Sequence, residues 1–282
     1  MVLILSDEED QSTNNVIDWL SYYSEESVRI NTEIPVEIDS INISNYEEKI
    51  SLRNKDVLFN LSDVTSTWFR RGRLTLNYTF KSSDASYLDD LLFSHIREEA
   101  SGLELFIYKA LEKKRHLGNY HSSVCKLDAL TMASSCGLRI PKTYVVSNKV
   151  DLDKIRRANS KLICKSIQRG LMIEVRNDFL INYTSEFDLK EEAIPAGFFP
   201  TLFQEKIEKK YELRIFYIDG KTYTMAIFSQ QNKQTSVDFR KYDDKNPNRK
   251  VSYRLPDKID AKVNKFMLAM GLTSGSIDMI YT

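Results

Sequence analysis

The chain opens on the apolar block Val2 to Leu5, which reads as a buried strand. It continues into Asn14 to Tyr23, where Val16, Ile17, Trp19, Leu20 and Tyr23 recur at helical spacing. A strand followed by a helix is the opening of an α/β unit. Shorter apolar pieces at Val28 to Ile30, Val36 to Ile38 and Val57 to Phe59, separated by polar turns, predict a small open sheet with connecting helices. From Asp84 to about Arg115 the period becomes helical. Leu88, Leu91, Leu92, Ile96, Leu103, Phe106, Ile107, Ala110 and Leu111 form a stripe broken around Gly102, which implies one long helix or two consecutive ones.

Beyond this point helices and strands alternate. Ser123 to Ser135 predicts a helix with Val124, Leu127, Leu130 and Ala133 inward, ended by Gly137 and followed by Pro141. Thr143 to Val146 is a strand and Asp151 to Ala158 a short charged helix. Leu162 to Lys165, Leu171 to Val175 and Phe179 to Ile181 predict a compact antiparallel sheet, with Asp178 between its last two segments. Thr201 to Lys206, Glu212 to Ile218 and Lys221 to Ser229 are strands expected to pair in order, and Asp219-Gly220 is a hairpin turn. The polar stretch Gln230 to Arg249 reads as a long loop over a site. Asp257 to Met270 is an amphipathic helix, and Ser274 to Tyr281 a last strand. No internal repeat is seen.

The 282 residues, 42% hydrophobic and 28% charged, suit a folded protein of two or more subdomains. Forty basic side chains balance forty acidic ones, which disfavours a nucleic-acid partner. The balance is uneven along the chain. Up to Ser66 there are fourteen acidic and four basic residues, a net of −10, so the remainder carries +10. Cys125, Cys136 and Cys164 lack CxxC spacing and fit reduced thiols. The first apolar run is short and precedes Asp7, Glu8, Glu9 and Asp10, unlike a signal peptide, and no stretch has the ~18–20 apolar residues of a membrane span. A cytoplasmic protein with no membrane partner is expected.

A few residues stand out as candidate chemistry. Lys165 ends an apolar strand before the small polar turn Ser166 to Gly170, an arrangement that could hold an ammonium against phosphate oxygens; it also fits a solvated strand end. Glu205 and Glu212 flank a polar bend, and Arg214 shares a strand face with Glu212. Such a set could bind a ribose and a phosphate side by side, or simply form a charged hairpin edge. Asp238 and Arg240 repeat the i, i+2 spacing. Asp278 sits in the apolar run Ser276 to Ile280, where a buried carboxylate needs a partner such as a hard cation.

Thr67 to Arg71, the passage Asn119 to Asn148 with Lys126 and Gly137 to Thr143, Lys165, Gln204 to Ile207 with Glu212 to Arg214, Val237 to Arg240, and Gly275 to Asp278 occur in a telling order. The ordered set resembles the ATP-grasp superfamily, in particular the microviridin-type or graspetide maturases that crosslink ribosomally made peptides. Low Gly with high Asn, Lys and Ile is similar to the grasp-with-spasm members. The resemblance implies a mixed α/β and α+β chain in three parts: an N-terminal pre-ATP-grasp α/β subdomain over 1–118, a central subdomain over 119–200 and a C-terminal nucleotide-binding subdomain over 201–282.

It further implies ATP and Mg2+. Lys126 and Lys165 would meet the phosphates. Gln204, Glu205 and the backbone at Lys206 and Ile207 would face the adenine, and Glu212 the ribose. Arg214 and Arg240, with Asp238 beside them, would act in catalysis, and Asp278 would hold the metal. A further Glu and Asn would be expected a short way beyond Thr282. The implied partner is a precursor peptide with a leader and an acidic, hydroxyl-rich core, with Trp68, Arg70 and Arg71 toward the core and Asp178 toward the leader; a homodimer is compatible with this. The implied activity is an ATP-dependent macrocyclase joining Asp or Glu carboxylates to Ser/Thr hydroxyls or Lys amines. An intermolecular carboxylate-amine ligase and a catalytically silent peptide-binding module are the alternatives.

Overall fold

In the computed structural model the chain forms two compact units, Met1–Ser122 and Ser123–Thr282. The structure describes residues 1–77, 86–120, 124–159, 161–168, 170, 172–175, 178–181, 184–187, 194–230, 232, 235, 237–239, 241 and 243–282, with the side chains of 86–89, 172–175 and 178–181 left out.

In the first unit β1 (Val2–Ser6) lies between β2 (Ser27–Asn31) and β6 (Ser66–Phe69), parallel to both, and β7 (Arg115–Leu117) completes the order β2-β1-β6-β7. Leu3, Ile4 and Leu5 are all fully buried, as a central parallel strand covered on both faces requires. Helix α1 (Gln11–Tyr22) begins three residues earlier than the hydrophobic period suggests, because Asp10 caps it by accepting from the Ser12 amide at 3.0 Å. Trp19, Tyr22 and Tyr23 are exposed and pack on one another.

The expected single open sheet is corrected. Val36 and Val57 belong with an antiparallel meander of β3 (Glu37–Ile43), β4 (Glu48–Asn54) and β5 (Val57–Asn60). Strand β4 escapes the sequence pattern because Ile50 and Leu52, both buried, alternate with Lys49, Ser51 and Arg53. Helix α2 (Ser86–Glu112) is continuous through Gly102, around which there is open space. Its Ile107, Tyr108 and Leu111 close the core over Leu3, Leu5 and Phe69.

The second unit starts with α3 (Lys126–Ser135), followed by β8 (Thr143–Asn148), α4 (Lys149–Ala158), β9 (Leu162–Lys165), β10 (Met172–Val175), β11 (Asp178–Ile181) and β12 (Ser185–Glu186). Next come β13 (Gly197–Glu205), β14 (Tyr211–Ile218), β15 (Lys221–Phe228), β16 (Arg249–Tyr253), α5 (Asp257–Ala269) and β17 (Ser274–Tyr281). Two expected pairings fail. Strands β10 and β11 form a hairpin of their own, and β9 instead joins the sheet β12-β9-β13-β8. Strand β13 does not pair with β14. Between them runs a charged, non-strand connection of residues 206–210, too long for a tight turn, and the other edge of β14 is taken by β17 in the sheet β16-β15-β14-β17.

The Asp219-Gly220 turn is found as expected, with φ of 43° and 82°, the two left-handed residues a tight hairpin demands. Leu213, Ile215 and Tyr217 of β14 point into α5, against Val263, Phe266 and Met267. Cys136 and the α3 residues Met132 and Ala133 pack on the same core. Because side chains alternate along a strand, that choice of face turns Glu212 and Arg214 outward. The smaller core of Leu152, Leu162 and Phe203 holds α4 against the other sheet. The polar stretch after β15 is tied down by side chains: Thr235 Oγ1 donates to Ser229 O at 3.1 Å, and Asn232 reaches Asp243 at 2.8 Å.

Candidate functional site

An open cleft in the second unit, with a cavity volume of about 150 Å³ and continuous with solvent, is walled by its two four-stranded sheets. From β9 come Ile163 and Lys165, which share a face by alternation; from β13 comes Gln204, directly across from Ile163. The connection of residues 206–210 forms the floor with Lys206, Ile207 and Lys209. The opposite wall carries Glu212 of β14 and, across the ladder, Asp278 and Ile280 of β17. Val237, Asp238 and Phe239 of the long loop complete the lining. Lys165, Gln204, Glu205, Lys206, Ile207, Glu212, Asp238 and Asp278, separated by more than a hundred positions in the chain, therefore meet in one place.

Their local bonding differs. Gln204 is only 4% exposed, and its Nε2 donates to Thr143 Oγ1 at 2.9 Å. Glu205 Oε1 accepts from the Lys142 amide at 2.9 Å, so this carboxylate braces the neighbouring strand entry. The Lys206 amide is spent on Lys161 O at 3.0 Å and its ammonium on Glu186 at 2.7 Å. Among the described residues nothing pairs with the Lys206 carbonyl or the Ile207 amide, which belong to one trans peptide unit and point to opposite sides of it. A base on either side of this peptide meets one of the two groups, and the second polar group of an aminopurine edge would need a neighbouring peptide. Asp238 is buried and accepts from the Thr184 amide at 3.3 Å.

Asp278 corrects one expectation. Its side chain is 41% exposed rather than buried, and its partner is Arg214, directly opposite on β14, whose Nη1 reaches the two carboxylate oxygens at 2.9 and 3.0 Å. The guanidinium also lies 5.9 Å from the Phe239 ring. Lys126 lies at the start of α3, not among the residues that line the cleft. Its ammonium donates to the carbonyls of Ser166 and Gln168, in the turn after β9. Arg240 lies outside the described residues. Asp178 opens β11 opposite Val175, and only its backbone is described.

Trp68, Arg70 and Arg71 belong to the first unit. Arg70 Nε lies 2.9 Å from Asp10 Oδ2 and its guanidinium 6.0 Å from the Trp68 ring, while Arg71 is exposed. Burial opposes ionisation of Asp10, but the Arg70 charge, the Ser12 amide and Arg71 outweigh it and hold the carboxyl below its ordinary range.

Lys209 is the main residue that the sequence reading missed. In the run Glu208-Lys-Lys-Tyr-Glu212 it is indistinguishable from a solvated turn; only its i, i+3 spacing to Glu212 could have marked it. It is buried beside Glu212, with a 2.6 Å contact.

The residues present fit an adenine nucleotide: an unpaired backbone polar group on the floor, a carboxylate suited to a diol and a lysine at a strand end. They do not by themselves fit Mg2+. Among the described residues no three metal-ligating side chains converge, and Asp278 is engaged by Arg214.

No protein-family model matches the sequence, and no curated protein matches it. Solved structures do. The chain superposes over 99% of its length on a RiPP-associated ATP-grasp ligase of Chryseobacterium gregarium (22% identity, 84% of that chain, TM-score 0.78). It superposes over 100% on the macrocyclase MdnC of Microcystis aeruginosa MRC (24% identity, 88% of that chain, TM-score 0.75), and over 99% on the macrocyclase MdnB of the same organism (20% identity, 86% of that chain, TM-score 0.70). Matching over 99–100% of its own length and 84–88% of theirs, the chain has the ATP-grasp fold.

Proposed function

We propose that the protein is an ATP-dependent peptide ligase that closes rings in a ribosomally made precursor. The observation that carries this reading is the convergence of Lys165, the 204–207 segment, Glu212 and Asp278 in one cleft, with Arg214, outside the lining, paired to Asp278. The solved neighbours support it: the Chryseobacterium ligase is complexed with ADP and a leader and core peptide, MdnC with its precursor peptide MdnA, and PsnB with a minimal precursor, Mg and ADP.

A peptide carboxylate is a poor acyl donor until an oxygen of it takes the terminal phosphoryl of ATP and ADP departs. A hydroxyl or amine of the same peptide then attacks the acyl carbon, loses its proton, and phosphate leaves. In this chain the 204–207 segment and Glu212 orient the nucleoside, and Lys165 meets the phosphates. Arg214 supplies positive charge where negative charge builds up. Keeping water from the activated carboxyl would require this open cleft to close over the bound peptide. The free thiols of Cys125, Cys136 and Cys164 and the need for ATP support a cytoplasmic setting for the reaction.

Mass spectrometry of an acidic, hydroxyl-rich candidate peptide incubated with the chain, ATP and Mg2+ is the test. Each ring closure removes one water. An unchanged peptide mass together with no peptide-stimulated ADP release would reject the reading, and a gain in mass would move it to amino-acid addition.

A further inference from the structure

We propose that Lys209 is the positioning residue of the nucleotide cleft: it holds Glu212 in the one orientation that offers an oxygen to the ribose, and it ties the loop bearing Asp238 to that same carboxylate. The proposal rests on the reading of the cleft as a nucleotide site.

The geometry is specific. Lys209 and Glu212 side chains are 7% and 10% exposed, and Nζ lies 2.6 Å from Oε1. Ser229 Oγ donates to the same Oε1 at 2.9 Å, so both acceptor positions of that oxygen are filled. Among the described residues no contact falls on Oε2, although Glu212 lines the cleft. A carboxylate gripped through one oxygen loses its terminal rotation and presents the other in a fixed direction, which is the requirement for binding a diol.

Stability is a poor explanation for the arrangement. Desolvating two charges is offset only partly by their attraction, and an apolar pair of the same volume commonly does as well. The other lysines of the connection have different work: Lys206 pairs with Glu186, and Lys210 lies 5.6 Å from the Tyr281 ring. Lys209 is the more deeply buried of the two lysines of the connection that line the cleft, at 7% exposure against 22% for Lys206, and its ammonium has a second acceptor, Val237 O at 3.2 Å. That carbonyl immediately precedes Asp238, so one ammonium joins the cleft floor, the start of β14 and the long loop.

The test uses the full chain and titrates ADP and the same nucleotide lacking both ribose hydroxyls. Wild type should prefer ADP by roughly 10- to 100-fold, the range of hydrogen bonds to a charged group. Lys209→Met should bring that preference toward unity, and Lys209→Arg, which keeps the cation, should restore most of it. A Lys209→Met variant that keeps the full preference while melting at a lower temperature would make Lys209 merely structural and overturn the proposal. A wild type that binds both nucleotides equally would overturn the ribose role of Glu212 and the proposal with it, and no ADP binding at all would sink the nucleotide reading itself.

Should Lys209→Met fail to fold, Glu212→Gln is compared with Lys209→Met/Glu212→Gln, in which no charge is buried alone. Equal ADP affinity is expected. A further loss in the double variant would mean that Lys209 contacts the nucleotide directly, which contradicts a positioning role.

Discussion

Replacing Arg214 by alanine separates a structural from a catalytic role with one substitution. The guanidinium makes two contacts, at 2.9 and 3.0 Å, with Asp278, but the partners are 42% and 41% exposed. At that exposure solvent screens the pair, and its contribution to folding is about 0.2–1 kcal/mol. If Arg214 balances charge on the transferring phosphoryl, its removal should slow turnover by about 10²–10³-fold, or about 2.7–4 kcal/mol of transition-state stabilisation. The two magnitudes do not overlap, so a large rate effect cannot be disguised instability.

The assay pairs a urea midpoint with peptide-stimulated ADP release, using a peptide that the wild-type chain dehydrates, and adds a titration of ADP binding. Arg214→Ala should unfold near the wild-type midpoint, bind ADP with near-normal affinity and release little of it on turnover. Turnover at the wild-type level would refute the assignment. So would a loss of nucleotide affinity equal to the loss of rate, since that would mean ground-state binding alone had been removed.

Lys165→Ala should raise the ADP dissociation constant roughly 10- to 100-fold with little change in the thermal midpoint, read by calorimetric titration, because it removes a charge-assisted contact at an already formed strand end. Ile215→Ala should cost about 2–5 kcal/mol in denaturant unfolding, since this fully buried residue lies at the centre of the β14–α5 core and the lost methyls leave a cavity. Asp10 sets a pH dependence. Its carboxyl titrates lower in the folded chain than the ordinary 3.8, so its stabilisation is complete above that value and is lost as pH falls through the folded one. Unfolding of Asp10→Asn should therefore show a shallower acid slope below about pH 4 than wild type, and identical slopes would remove Asp10 from the account.

What could be read from the sequence followed from alternation within single segments. Lys165 at the end of β9, Glu212 and Arg214 on one face of β14, and Asp278 amid the hydrophobes of β17 all lie where their own strands put them. Pairings between distant segments could not be read. Nothing local tells that Arg214 and Asp278 share a rung of the ladder, or that Asp10 sits against Arg70. The partition of strands among sheets was also hidden, because β13 looks as suited to β14 as to β8; the charged connection after it decides, and charge alone does not reveal whether a turn is tight. Strand β4 was lost because its two buried apolar residues, Ile50 and Leu52, stand among polar and charged neighbours and carry too little hydrophobic signal. Lys209 shows the general difficulty: a lysine in a lysine-rich turn is marked as special only by its burial.

The connection of residues 206–210 is the spine of a book whose two covers are the four-stranded sheets. Five residues span at most about 18 Å when stretched, and this stretch is pinned at Lys206 to Lys161 and at Lys209 to Glu212. Opening the covers therefore moves the outer rims far and the spine hardly at all. A group seated against the spine would keep nearly the same surroundings whether the book is open or shut, whereas groups held between the rims would be gripped only on closing. For a nucleotide bound as proposed, recognition would come first, and the geometry for transfer would be set afterwards by a swing about that line.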